Sequence, residues 1–176
     1  MSEPARPRHR TVLSALRALD AEFLARSECY FGGGTRIVLE LDEYRESADV
    51  DFLCASREGY RALRGAVSDT SLGRIAKPGL KLAREVIADR WGDESALGRD
   101  AIDLAFMAAR WGREPVRAGL GVAVKAYGNV VARAAKQAAT KLLEHPAWRR
   151  RCAAALNLTD TRTLLAGLQR VAAGRW

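Results

Sequence analysis

Gly32-Gly33-Gly34-Thr35, followed after a short gap by Ser47-Ala48-Asp49-Val50-Asp51-Phe52, is the stretch whose reading decides the rest of the chain. Cys29-Tyr30-Phe31 is a short apolar run stopped by glycines, the pattern of a strand that ends in a sharp turn. Residues 35–41 open as a short helix, residues 40–47 are polar and read as a loop, and residues 50–54 have strand composition. Alternate strand residues point to one side, so Asp49 and Asp51 aim their carboxylates at one spot while Val50 and Phe52 face the core. Two carboxylates held together repel unless a cation joins them or one is protonated. Magnesium takes oxygen ligands of this kind, completed by substrate phosphates, and phosphoryl transfer uses such ions. An Asp-x-Asp alone also describes a solvent-facing strand edge, and a triple glycine alone describes a flexible turn. The order strand, Gly-Gly-Thr, helix, loop, Asp-x-Asp strand is more specific. Glycines let the backbone approach phosphates, and a helix N-terminus offers them free N–H groups. Thr35 is placed to cap that helix or to bond a phosphate oxygen.

Outward from this stretch the pattern is helical. Residues 11–26 carry Leu13, Leu16, Leu19 and Phe23 at helical spacing, and residues 57–67 place Tyr60, Leu63 and Val67 on one face. Residues 72–76 have room for one small strand. Beyond Pro78 the periodicity predicts helices over 80–90, 99–111, 115–127, 129–143, 147–155 and 160–173, with Pro115 and Pro146 in first turns. Gly112, Gly128 and Asn157 stand at helix ends, where left-handed caps occur, and Asp160 stands as an N-cap. The expected class is α+β. Residues 1–10 read as a flexible tail, 11–78 as a small α/β core, and 79–176 as an all-helical region.

The 176 residues are 48% hydrophobic, enough for a packed core. No apolar run approaches the ~20 residues that span a bilayer, and the basic start of the chain lacks the apolar stretch of a secretory signal. Cys29, Cys54 and Cys152 form no CxxC or Cys/His cluster, which argues against structural zinc or a disulfide framework and suggests a reducing cytoplasm. The net charge of +8 is uneven: residues 104–176 hold 13 Lys and Arg against 3 Asp and Glu. Such a basic half suggests a polyanion-binding surface, a solvated helical face being the plainer reading.

Gly33-Gly34-Thr35 … Arg45-Glu46-Ser47-Ala48-Asp49-Val50-Asp51-Phe52 resembles the first motif of the AbiEii/AbiGii-type nucleotidyltransferase toxins, a branch of the polymerase-β-like superfamily. Asp89-Arg90-Trp91 … Gly98-Arg99-Asp100-Ala101-Ile102-Asp103-Leu104 is similar to that family's D-R-W … R-D-x-x-D-L segment, and Ala126-Tyr127-Gly128 and Arg151-Cys152 to its helical tail. The resemblance implies a small polymerase-β-type sheet flanked by helices and followed by an all-helical part. It also implies a nucleoside triphosphate substrate with Mg2+ or Mn2+. Gly33, Gly34 and Ser47 would contact the triphosphate, Asp49 and Asp51 the metal, and Asp100 or Asp103 would act in the active site. A triphosphate-binding lysine is also implied. Ala83 stands at the family's position, Lys81 is the nearest lysine, and Lys77 is the other candidate.

Asp100 and Asp103 are three apart on the expected helix and share a face. Asp100 falls in its first turn, where a carboxylate also favours the helix dipole. Asp103 lies beside Ile102 and Leu104, where a charge needs a partner such as Arg99 or Arg90. The activity implied is transfer of a nucleoside monophosphate from a triphosphate to RNA, tRNA above all, contacted by the basic C-terminal helices. The protein would be the toxin of a toxin–antitoxin or phage-defence pair, with an antitoxin as partner. The chain is shorter between Asp51 and Asp89 than the family's usual length, so the alternative is a shortened, non-catalytic relative that binds nucleotide or RNA.

Overall fold

The computed structural model describes residues 3–67 and 96–175. The chain divides into two compact units, Met1–Glu43 with Ser47–Trp91 and Tyr44–Glu46 with Gly92–Trp176.

In the first unit, helix α1 (Pro7–Arg17) starts on a proline in its first turn, a position where the missing N–H costs nothing. It buries His9, Val12 and Leu13 along one face. The expected tail therefore loses residues 7–10 to this helix. A single helix over 11–26 is also not formed: Asp20 accepts the Phe23 N–H at 2.9 Å and starts a second helix, α2 (Ala21–Arg26). Strand β1 (Cys29–Gly32) leads into α3 (Gly33–Glu40), two residues earlier than expected, and β2 (Asp51–Cys54) pairs antiparallel with β1 in the register Cys29↔Cys54, Tyr30↔Leu53, Phe31↔Phe52, Gly32↔Asp51. Ser56 caps α4 (Arg57–Ala66) by accepting the Gly59 N–H at 3.1 Å. Paired residues share a face, so Cys29, Phe31, Phe52 and Cys54 lie on one side and Tyr30, Gly32, Asp51 and Leu53 on the other. Phe31 and Phe52 meet edge to face at 6.4 Å. Phe52 packs on a core of Leu19 and Ala66 with Leu16, Phe23 and Leu63. The opposite face is open, with Tyr30 and Leu53 about 60% exposed.

The second unit is helical: α5 (Ala96–Arg110), α6 (Arg113–Tyr127), α7 (Val130–Glu144), α8 (Pro146–Ala155) and α9 (Thr161–Ala172). Helices α5 and α9 pack closely because residue 167 is glycine, where a Cβ would stand 2.0 Å from the Ala105 carbonyl oxygen. Ile102, Phe106, Leu142, Leu164, Leu168 and Val171 fill the core, each at most 1% exposed. The expected left-handed ends are present at Gly112, Gly128 and Asn157. Asp160 caps α9 through the Thr163 N–H at 2.9 Å. The expected strand over 72–76 and helix over 80–90 lie outside the described residues. The observed class is α+β with a helical C-terminal part.

Candidate active site

The glycine turn and the carboxylate strand meet in the first unit. Gly33 has φ +71°, a left-handed conformation natural to glycine, and a Cβ there would stand 2.2 Å from Asp51 Oδ2. The backbone at the start of α3 therefore lies directly against the Asp51 carboxylate, and no larger residue fits the gap. Gly33, Gly34 and Thr35 are the first three residues of α3, whose N–H groups have no partner inside the helix. The N–H groups that open the helix and the positive end of its dipole thus lie beside an exposed carboxylate.

Asp49 stands differently from the expectation. Strand β2 begins at Asp51, because β1 ends at Gly32 opposite it and the chain turns there into α3. Residues before Asp51 have no β1 partner, so Asp49 belongs to the half-buried lead-in to the strand. Among the described residues no three His, Cys, Asp or Glu side chains gather into a metal cage.

Behind this turn runs a buried polar chain. Thr35 is fully buried and shares a 2.8 Å hydrogen bond with the Ser47 hydroxyl. As the third residue of α3, Thr35 ties the helix to the motif loop and does not cap it. The Ser47 N–H donates to His9 Nε2 at 3.1 Å, and the imidazole is fully buried. An accepting Nε2 carries no proton, so the neutral ring holds its proton on Nδ1, which sits 3.5 Å from Glu43 Oε2. The Glu43 carboxylate accepts the Ala5 and Arg6 N–H groups at 3.0 and 2.9 Å. Asp42 and Glu43 both take left-handed conformations, with φ of 60° and 52°. Such a turn persists only where its surroundings hold it, and here the bonds to residues 5 and 6 do so. His9 falls within the expected tail, and the structure places it in α1. The spacing of His9, Val12 and Leu13 after Pro7 was the available signal of an earlier, amphipathic helix.

The second unit holds the other half of the pattern. Asp103 is 5% exposed and Arg45 fully buried. Arg45 Nε donates to Asp103 Oδ1 at 2.7 Å and Nη2 to Oδ2 at 2.6 Å, while the Tyr44 hydroxyl donates to Oδ1 at 2.5 Å. The Tyr44 ring stacks on Phe106 with centroids 3.7 Å apart. Burial works against the Arg45 charge, but the bonds to Asp103 outweigh it and raise its pKa. Burial, and then Asp103, push the Tyr44 phenol well above its ordinary range. The expected partner of Asp103 was Arg99 or Arg90; the observed partner is Arg45, because Tyr44–Glu46 fold with α5 in the second unit. Glu46 N–H donates to Leu156 O at 2.7 Å and secures the same segment against α8.

Asp100 is exposed and lines a groove of about 480 Å3 with Ala101, Leu104, Val130, Val131 and Ala134. Within the described residues α5 opens at Ala96, so Asp100 is the fifth residue and lies beyond the first turn. Lys81, Lys77 and the Asp89-Arg90-Trp91 segment lie outside the described residues. In α8, Arg149 donates to Leu142 O at 2.7 Å and Leu143 O at 3.2 Å, closing the end of α7, while Arg150 and Arg151 are exposed.

The family model of the AbiEii nucleotidyl transferase toxin, of a type IV toxin–antitoxin system, matches residues 14–90. This segment is AbiEii-like. No curated protein and no solved structure matches the chain. The AbiEii match spans the glycine turn, the Thr35–Ser47 pair, Asp49 and Asp51, and supports the coarse class of toxin nucleotidyltransferase. Asp100, Asp103 and His9 lie outside it. No helix among the described residues is long and apolar enough to cross a membrane.

Proposed function

We propose that the chain is a metal-dependent nucleotidyltransferase that transfers a nucleoside monophosphate from a nucleoside triphosphate to an RNA hydroxyl, tRNA above all, releasing pyrophosphate, as the toxin of a pair with an antitoxin. The observation that carries the proposal is the Asp51 carboxylate pressed against the Gly33 backbone at the start of α3. The N–H groups of Gly33 and Gly34 bind the triphosphate. Ser47 and Thr35 hold the loop in register with that helix. Asp49 and Asp51 would hold Mg2+ or Mn2+, which when bound neutralises phosphate charge and lowers the pKa of a coordinated hydroxyl. Asp51 is the carboxylate that lies against the glycine backbone. Lys81 is assigned to the triphosphate by resemblance alone. In this reading Asp103 is a positioning residue, since both its oxygens hold Arg45 and Tyr44, and Asp100 is the more accessible carboxylate of α5.

The RNA acceptor is proposed to meet the basic C-terminal helices, where exposed Arg150 and Arg151 contact phosphates and binding weakens steeply with salt. The test is incubation of the whole protein with each α-labelled triphosphate, magnesium and total RNA. Labelled RNA is expected, lost in Asp51→Asn and reduced in Arg150→Ala/Arg151→Ala. Triphosphate binding without any labelled RNA would replace this proposal with a shortened, non-catalytic nucleotide binder.

A further inference from the structure

Cys29 and Cys54 are opposite each other in the sheet, 25 residues apart in sequence, with Sγ atoms 2.9 Å apart. The Ala55 N–H donates to Glu28 O at 3.0 Å. That bond flanks the cysteine pair, so Cys29 and Cys54 occupy a non-hydrogen-bonded site of the antiparallel ladder. Such a site brings opposed Cα atoms to about 4.5 Å and their side chains closest together. A disulfide accepts Cα separations of about 4.4–6.8 Å, so the bond can form without moving either strand. The two sulfurs also differ in access. Cys29 is 4% exposed and its thiol reaches Ser27 O at 3.2 Å, whereas Cys54 is half-buried.

We propose that Cys29 and Cys54 form a redox site of the protein, a dithiol closed to an intrachain disulfide by a small-molecule disulfide such as oxidised glutathione. Cys54, the more accessible, gives up its proton and attacks one sulfur of the oxidant. The oxidant's S–S bond breaks, one small thiol leaves with that proton, and a mixed disulfide remains on Cys54. Cys29 then gives up its proton and attacks Cys54 Sγ, forming the protein disulfide and releasing the second small thiol. Two protein thiols are oxidised by two electrons and one small disulfide is reduced to two thiols. In the reduced dithiol, burial and then the neighbouring Cys54 push the Cys29 thiol up to about 11; the closing step accelerates with rising pH because the thiolate is the attacking form. The bond joins the strand that leads into the glycine turn to the strand that begins at Asp51. It is independent of the proposed transfer reaction.

The test uses the reduced full chain, incubated with oxidised glutathione, denatured, alkylated with N-ethylmaleimide and weighed intact. One of the three thiols is expected to alkylate, with no retained glutathione, and digestion should give one cross-linked peptide containing Cys29 and Cys54. The oxidised form should melt higher than the reduced form by roughly 5–10 °C, the scale for closing a loop of this length in a chain of this size. Cys152→Ser should leave the cross-link intact. Three alkylated thiols, glutathione retained on Cys54, or a cross-link through Cys152 would each overturn the proposal, and none of these readouts depends on a variant that must fold.

Discussion

Replacing Asp103 with Asn tests whether this carboxylate works by holding Arg45 and Tyr44. The two side chains are nearly isosteric, so the perturbation is electrical. Asp103 accepts three hydrogen bonds, two from Arg45 and one from Tyr44, and its partner guanidinium is fully buried. Asn keeps one accepting oxygen and turns an NH2 group towards donors that need acceptors. Breaking one side of a buried ion pair costs about 3–5 kcal/mol, a large share of the ~5–15 kcal/mol that holds a domain folded. For a chain of this size that is a fall in Tm of roughly 6–20 °C. Urea melts followed by circular dichroism give the midpoint and slope. The double variant Arg45→Met/Asp103→Leu should recover most of the loss, since a buried pair replaced by apolar residues is often neutral. Tyr44→Phe, which keeps the stack on Phe106 and removes one bond to the carboxylate, should cost about 1.5–3 kcal/mol. An Asp103→Asn protein that melts like the parent would refute the buried-anchor account. If that stable protein had also lost nucleotidyl transfer, the carboxylate would act on the reacting groups instead.

Gly33→Ala places a Cβ where Asp51 Oδ2 now stands and strains a left-handed residue; about 1–2 kcal/mol of stability should be lost in denaturant melts, with triphosphate affinity falling by far more than that loss explains, and equal losses would mark the turn as merely structural. His9→Ala strands the buried Ser47 N–H and leaves a cavity, so thermal melts should show about 2–4 kcal/mol of destabilisation; an unchanged midpoint would remove His9 from the site. Alkaline stability should depend on Tyr44. The fold favours its neutral phenol, so the stabilisation is complete below the unfolded pKa of about 10 and is lost as pH rises beyond it, where the unfolded chain releases a proton that the folded one keeps. Comparing urea midpoints at pH 9 and 11 should show a smaller drop in Tyr44→Phe than in the parent.

The α+β order was readable because its signals are local. Three glycines stop a strand, and Asp160 or a helix-end glycine acts through bonds to the next few residues. The helix boundaries moved where tertiary contacts took over. Leu19 broke the periodic run over 11–26 because it is core while Asp20, its neighbour, caps the next helix. Helix α1 reached back to Pro7 because His9 found a partner in Ser47, 38 residues away. That bond has no sequence signature. The same holds for Arg45 and Asp103, 58 residues apart: burial of an aspartate between Ile102 and Leu104 required a cation, but nothing in the spacing chose Arg45 over Arg99.

The fate of the motif loop shows what a family pattern can and cannot carry. In Arg45-Glu46-Ser47-Ala48-Asp49-Val50-Asp51, adjacent positions serve different units. Arg45 and its neighbours Tyr44 and Glu46 fold with the helical unit, where the arginine neutralises Asp103 and Glu46 bonds to Leu156. Ser47 belongs to the first unit, where it bonds to Thr35 and His9. Each position of the pattern answers to a different physical demand. Here one position is constrained by the need to compensate a buried carboxylate, the next by a hydroxyl pair behind the glycine turn, and only Asp51 by an exposed carboxylate beside the N–H groups that open the helix. The three constraints differ in what relieves them. A charge-free replacement of both partners relieves the first, a small hydrogen-bonding residue relieves the second, and nothing but a carboxylate satisfies the third if phosphate chemistry is its purpose. Substitution by chemical class at Arg45, Ser47 and Asp51 therefore separates folding from function within a single loop: Arg45→Met with Asp103→Leu and Ser47→Thr should retain activity in proportion to stability, while Asp51→Asn should lose activity at full stability. Loss of transfer in the stable Arg45→Met/Asp103→Leu protein would show that the ion pair, and not merely the packing it secures, belongs to the reaction.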